Sequence, residues 1–305
     1  MARHWRRLTA GILASLALSG GVALSTAALP ERFGSALTGY LRAGEYWVEQ
    51  IGTLKENSVE LFCEKLNGLR GGTLSGATRF YWTLIPDKGC YTETPTTDYT
   101  AFYTAVEQRL DGMTGINLSD TLSLADYYKT DRHWRQECLA PVVERLGERM
   151  DFSAGWEYEM QQGPNFIGAY RPYLPGWTRS EPFFWLTGDA IETAEIKNMQ
   201  RPEQTQLYWS DALGSKNQYD LFLGGASPLI EIQNPDASTD RELVIFGDSF
   251  VSSLVPLLCN TYAEITVVDL RYLGSSVLDQ YLDATGREVL FAYSAWVVNN
   301  SAMLR

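Results

Sequence analysis

The sequence predicts an α/β fold, a parallel sheet flanked by helices with an inserted aromatic-rich β/loop region. Three observations carry this. Residues 242–246 (ELVIF), 264–270 (EITVVDL) and 288–293 (EVLFAY) are continuous apolar runs of the kind buried on both faces of a parallel sheet. Segments long enough for a crossover helix lie between them. The 305 residues are 45% hydrophobic and 20% charged, a globular composition.

The elements follow in order. Over residues 46–69, Val48, Ile51, Leu54, Val59, Leu61, Phe62 and Leu66 recur at three-to-four spacing and predict a helix, broken by Gly71 and Gly72. Residues 78–85 (TRFYWTLI) are rich in β formers and stop at Pro86-Asp87-Lys88-Gly89, a strand followed by a loop. Thr96, Thr97 and Asp98 can cap a helix through Phe102, Val106 and Leu110. A short strand at 116–118 and a loop lead to residues 127–134 (YYKTDRHW), after which Leu139, Val142, Val143 and Leu146 mark a helix from 136 to about 150. From about 151 to 215 no helical period persists. Runs such as 166–177 (FIGAYRPYLPGW) and 182–186 (PFFWL) predict a β-rich subdomain or long loops bordering the site. Their aromatics either stack on sugar rings or form a local core. The α/β pattern resumes at Glu242, with a helix through Leu254 to Leu258.

Ahead of this domain, residues 1–28 carry Arg3, Arg6 and Arg7, then 21 uncharged residues from Leu8 to Ala28, with small Ser25 and Ala27 near the end. That is the form of a signal peptide or signal anchor, which puts residues 29–305 outside the cytoplasm, secreted or tethered to the cytoplasmic membrane. Beyond residue 28 the chain holds 22 bases against 37 acids, a net charge of −15. An acidic surface repels phosphate, so nucleic acid is not an expected partner. Cys63, Cys90, Cys138 and Cys259 are an even number in an oxidising compartment; Cys90 with Cys138 is the favoured pair, and free buried thiols stay open.

His4 and His133 are the two histidines, and His4 falls in the leader. A metal site needing several imidazoles is excluded, and neither metal nor cofactor is expected. Imidazole chemistry rests on His133. At residues 247–250 (GDSF) a buried strand ends, Gly247 permits a tight turn and Ser249 stands where a helix begins, at the carboxyl edge of the sheet where open α/β folds bind ligands. There its own amide and the helix dipole face a developing oxyanion. A serine needs a base, and the base needs an orienting group. Asp131 precedes His133 by two residues; in an extended segment their side chains point the same way, roughly 6.5–7 Å apart at Cα, with Arg132 pointing away. Asp131 would then hold Nδ1 while Nε2 meets Ser249. Asp248 reads as a cap or turn residue.

Residues 127–134 (YYKTDRHW), 219–228 (YDLFLGGASP), 247–250 (GDSF) and 267–272 (VVDLRY), in that order, resemble the DHHW-motif proteins. Those are exported members of the SGNH (GDSL-like) hydrolase superfamily, similar to the alginate O-acetyltransferase group. The resemblance spans roughly residues 45–300. The name motif reads Asp-Arg-His-Trp here, and Asp-x-His precedes Gly-Asp-Ser by about 115 residues, the reverse of most SGNH hydrolases. The resemblance implies an SGNH-like sheet, Ser249 as nucleophile, His133 as base and Asp131 as orienter. Gly224 and Gly225 are candidates for a second oxyanion donor or else a turn between insertion and core; Trp134 and Arg271 are candidates for lining the cleft, Arg271 equally for a structural ion pair. The implied reaction is transfer of an acyl group, most simply acetyl, to a cell-surface or extracellular polysaccharide, with a membrane acyl-donor protein as a further partner. Hydrolysis of an acetyl sugar, or a non-catalytic polysaccharide-binding or assembly role, remains open at this point.

Overall fold

The computed structural model describes residues 39–153, 155 and 157–305, so the predicted leader lies outside the described residues. The hairpin β1 (Tyr40–Ala43) and β2 (Tyr46–Glu49) comes first. Next are α1 (Glu56–Gly71), β3 (Arg79–Ile85), α2 (Tyr99–Glu107), β4 (Thr114–Ile116) and α3 (Ala140–Met150). The middle of the chain holds β5 (Glu159–Gln162), β6 (Phe184–Thr187), β7 (Glu195–Asn198) and β8 (Leu229–Gln233). It closes with β9 (Glu242–Gly247), α4 (Val251–Leu258), β10 (Glu264–Val268) and β11 (Glu288–Ser294).

Seven strands make one sheet in the order β4-β3-β11-β9-β10-β8-β7. From β4 to β10 neighbours run parallel; β8 is antiparallel to both β10 and β7. The fold class is the predicted one. In β9, Leu243 and Ile245 enter a core shared with α3 and α4, while Val244 and Phe246 enter a second core shared with α1 and α2. β11 divides in the same way, Leu290 and Ala292 against Val289, Phe291 and Tyr293. Alternate side chains point to opposite faces, so a strand covered on both reads as an unbroken apolar run.

Some expectations are corrected. The helix foreseen from residue 46 begins at Glu56, because Tyr46–Glu49 pairs with β1 and Gly52 turns the chain at φ +75°. Trp47 N–H donates to Lys129 O (2.8 Å), so tertiary pairing overrides the local helical period. The strand foreseen at 116–118 lies at Thr114–Ile116. β7 and β8 escape sequence reading: β7 is four residues inside the aromatic region, and β8 follows Pro228 within a motif of turn residues. All four cysteines are free thiols, so the favoured Cys90–Cys138 bridge does not form. Cys63 and Cys259 lie in the two different cores, and burial pushes each thiol up to about 12.

Of the aromatics in residues 151–215, Phe166 and Phe183 pack with Tyr128, Tyr219 and Phe222 into a third, local core, whereas Trp177 is exposed. Among the described residues no helix is long and apolar enough to cross a membrane.

Candidate active site

The carboxyl edge of the sheet collects the polar residues. At the end of β9, a Cβ on Gly247 would lie 2.5 Å from Val251 Cγ1 and 2.7 Å from Ala292 O, so only glycine lets the strand turn directly into α4. Asp248 holds that turn: its Oδ1 accepts Phe250 N–H (3.0 Å), and its Oδ2 accepts Ser294 N–H (3.0 Å) and Ser294 Oγ–H (2.5 Å) at the end of β11. Ser249 is thereby presented one residue before Phe250 and α4. Its own amide has no hydrogen-bond partner among the described residues.

His133 arrives from the segment between β4 and α3. Its Nε2 is 2.7 Å from Ser249 Oγ and its Nδ1 is 2.6 Å from Asp131 Oδ1. The structure thus brings Asp131, His133 and Ser249 together in one hydrogen-bonded run. The local geometry differs from the extended one foreseen: Asp131 Oδ1 also accepts the His133 N–H (3.0 Å), an Asx turn that folds the carboxylate back onto the imidazole two residues on. Arg132 leaves the site to pair with Glu49 (3.0 Å) and lie 5.2 Å over the Trp296 ring. With a carboxylate at Nδ1, the proton sits there and the Nε2 lone pair accepts the Ser249 hydroxyl.

Burial by itself would raise the Asp131 carboxyl. The His133 contact and the amides of Ala169 (2.6 Å) and His133 outweigh it and hold the group below the ordinary carboxylate range. Behind it, Glu181 accepts Lys129 N–H (2.9 Å), Thr130 N–H (3.1 Å) and Thr130 Oγ–H (3.1 Å). Burial raises the Glu181 carboxyl against those bonds. Thr130 Oγ in turn accepts Gly168 N–H (2.9 Å). The aromatic insertion therefore touches the site through backbone at Gly168 and Ala169. The imidazole is stacked on Tyr219, ring centres 4.0 Å apart and planes nearly parallel, with Phe250 at 4.9 Å.

Three of the other four candidates are engaged in contacts of their own. Trp134 is fully buried; its Nε1–H donates to Phe250 O (3.1 Å) and Ser253 Oγ (2.9 Å), tying the histidine segment to the start of α4. Arg271 is 8% exposed and locked to Asp269, with Nε 2.9 Å from Oδ1 and a terminal nitrogen 2.6 Å from Oδ2. Gly225 donates its N–H to Phe222 O (3.2 Å), so that amide is occupied by the turn. The Gly224 amide has no partner among the described residues. Both glycines need their freedom, at φ +74° and +81°.

Sequence reasoning passed over Tyr219 and Asp220, although both belong to the 219–228 motif, and over the Ala169 amide, which no residue pattern marks. Among the described residues no group of three or more His, Cys, Asp and Glu is arranged to hold a metal ion. The arrangement sets a hydroxyl on an imidazole, a carboxylate on that imidazole and, beside the hydroxyl, an amide without a partner among the described residues, groups with which acyl transfer can be performed.

No family model and no curated protein matches the chain. Solved structures do. A DHHW family protein from Eubacterium siraeum DSM 15702 is 17% identical, superposes with a TM-score of 0.70 and covers 85% of this chain and 90% of that one. Bacillus cereus PatB1, solved also with a sulfonyl adduct, is 18% identical at TM-score 0.65, over 85% and 96%. The O-acetyltransferase domain of Pseudomonas putida AlgJ is 12% identical at TM-score 0.53, over 86% and 92%. The chain has the fold of these proteins, and the resemblance read from the four motifs is upheld at the level of fold.

Proposed function

We propose that this chain is an exported serine-dependent acyltransferase that moves an acyl group, most simply acetyl, onto a polysaccharide through an ester on Ser249. The observation that carries the reading is the run Asp131–His133–Ser249, with contacts of 2.6 and 2.7 Å, at the carboxyl edge of the sheet. The fold shared with an O-acetyltransferase domain supports acetyl as the group. The basic, then apolar, start of the sequence supports export, which leaves a membrane acyl-donor protein as the natural source of that group.

In the first half-reaction the Ser249 hydroxyl passes its proton to His133 Nε2 as Oγ attacks the acyl carbonyl. Asp131 stabilises the imidazolium so formed, and the Ser249 amide at the start of α4 donates to the developing oxyanion. The leaving group takes the proton from Nε2 as it departs. In the second half a sugar hydroxyl attacks the Ser249 ester, gives its proton to Nε2, and Ser249 Oγ leaves with it. If water attacks instead, the same ester is hydrolysed.

The test is turnover of p-nitrophenyl acetate by the protein without its leader, with and without oligosaccharides, and labelling by a sulfonyl fluoride. Ser249→Ala should lose about 10³-fold or more of the turnover, as loss of a triad nucleophile does, and all of the label. Equal turnover in the variant and wild type overturns the reading.

A further inference from the structure

We infer that Asp220 and Arg201 form an acceptor subsite beside Ser249 that holds adjacent hydroxyls of an uncharged sugar during the second half-reaction. The inference rests on the function proposed above and names the class of acceptor.

The carboxylates around the site are otherwise occupied. Asp131, Asp248, Glu181, Glu49 and Asp269 each end in hydrogen bonds or an ion pair. Asp220 is the exception: it is half-buried, and among the described residues no hydrogen bond or ion pair reaches its carboxylate. Its place is made by a glycine, since a Cβ on Gly225 would fall 2.5 Å from Asp220 Oδ1. It follows directly on Tyr219, the residue stacked on the catalytic imidazole. Burial pushes the Asp220 carboxyl up to about 6, opposed by the nearby charge of Arg201. A half-buried carboxylate without a donor carries a desolvation cost that a ligand's hydroxyls would relieve.

Arg201 is the complementary half. Its Nε–H donates to Gly224 O (2.7 Å) and its guanidinium lies 5.3 Å over the Trp209 ring, while its terminal nitrogens meet no partner among the described residues. An open acceptor and an open donor thus bracket the turn at Gly224 and Gly225. Vicinal hydroxyls fit such a pair: each O–H can donate to the carboxylate while its oxygen accepts from the guanidinium. A uronate fits poorly. Its carboxylate would meet the like charge of Asp220, and the Arg271 guanidinium is already paired with Asp269. The step served is attack by one sugar hydroxyl oxygen on the acyl carbon of the Ser249 ester, with the C–Oγ bond breaking and the hydroxyl proton passing through His133 Nε2 to Ser249 Oγ.

The test measures partition of one acyl-enzyme. The whole protein is given p-nitrophenyl acetate with cellopentaose, penta-N-acetylchitopentaose or an oligouronate, and acetylated oligosaccharide is counted against free acetate. Wild type should favour the uncharged acceptors tenfold or more over the oligouronate. Asp220→Asn should lower the transfer-to-hydrolysis ratio at least tenfold and raise the KM for acceptor, with Asp220→Glu falling less. The ratio counts only molecules that acylated, so partial misfolding cancels. An unchanged ratio in Asp220→Asn, or wild-type preference for the oligouronate, overturns the subsite. Absence of any acetyl-Ser249 by mass spectrometry in wild type overturns the proposed function itself.

Discussion

An imidazole with a carboxylate on Nδ1 and a hydroxyl on Nε2 has its tautomer chosen by its partners. Asp131→Asn keeps the size of the side chain and removes that choice, because an amide can present N–H to Nδ1. The variant should lose about 10³- to 10⁴-fold in kcat for acetyl-ester turnover, the scale on which a triad aspartate acts. Its urea midpoint should move far less than its activity. At this scale the grouping of Ser249, His133 and Asp131 was legible because residues 29–305 hold one imidazole and one Gly-Asp-Ser turn on a buried strand. The places of Trp134 and Arg271 were not legible, because membership of a motif says nothing of side-chain direction. Trp134 turns into the core, and Arg271 turns back onto Asp269.

At the scale of elements, the site depends on two joints. One is the turn from β9 to α4. Gly247→Ala drives a methyl into Val251 and Ala292 O, an overpacking worth about 1–3 kcal/mol. The turn would shift to relieve it, so activity should fall more than stability does, checked by comparing kcat with the urea midpoint. The other joint is Lys88, buried after β3, whose Nζ donates to Trp47 O (2.5 Å) and Tyr128 O (2.9 Å) and lies 4.8 Å from the Tyr170 ring. It fastens β2 and the histidine segment to the end of β3. Lys88→Met leaves two carbonyls without a donor and should cost about 2 kcal/mol near neutral pH.

Burial also pulls the Lys88 ammonium down to about 7, against the surrounding carboxylates. A lysine depressed in the folded state contributes stability that is present above its unfolded value and lost as pH falls through the folded one. Between pH 7 and 8.5 the unfolded chain binds this proton and the folded chain does not. Wild-type stability should therefore rise relative to Lys88→Met by up to about 1.4 kcal/mol per pH unit. Urea midpoints of the two proteins at pH 7, 7.75 and 8.5 read it directly, and a constant difference would show that the amine keeps its proton when folded. The elements themselves were legible where burial on two faces or a cap marked them, as in β3, α2, β9 and β11. β2 was missed because its apolar spacing fits a helix equally well, and its pairing to β1 and Lys129 is tertiary.

Across the whole molecule, β11 comes last among the strands in sequence yet lies between β3 and β9 near the centre of the sheet. A chain ending before Glu288 lacks the strand that joins the two halves and that receives Asp248 at Ser294. It should show no cooperative unfolding transition and rapid proteolysis across residues 39–287. The two halves of the site obey the same logic, since Asp131 and His133 follow β4 on one side of β11 and Ser249 follows β9 on the other.

By itself the sequence determined the class of fold, the strands that build its centre, and which residue types were available for nucleophilic chemistry, because these follow from apolar periodicity and from how few imidazoles the chain has. It also determined a net charge that tells against nucleic acid. Only the tertiary structure decided that the serine and histidine, 116 residues apart, meet at 2.7 Å. It alone decided that Asp131 is held by an Asx turn and an amide from the aromatic insertion, and that the Asp220 carboxylate meets no partner among the described residues. Those outcomes depend on which strand ends share an edge and on where each side chain finds its hydrogen bonds. Both are settled by packing between segments far apart in the chain.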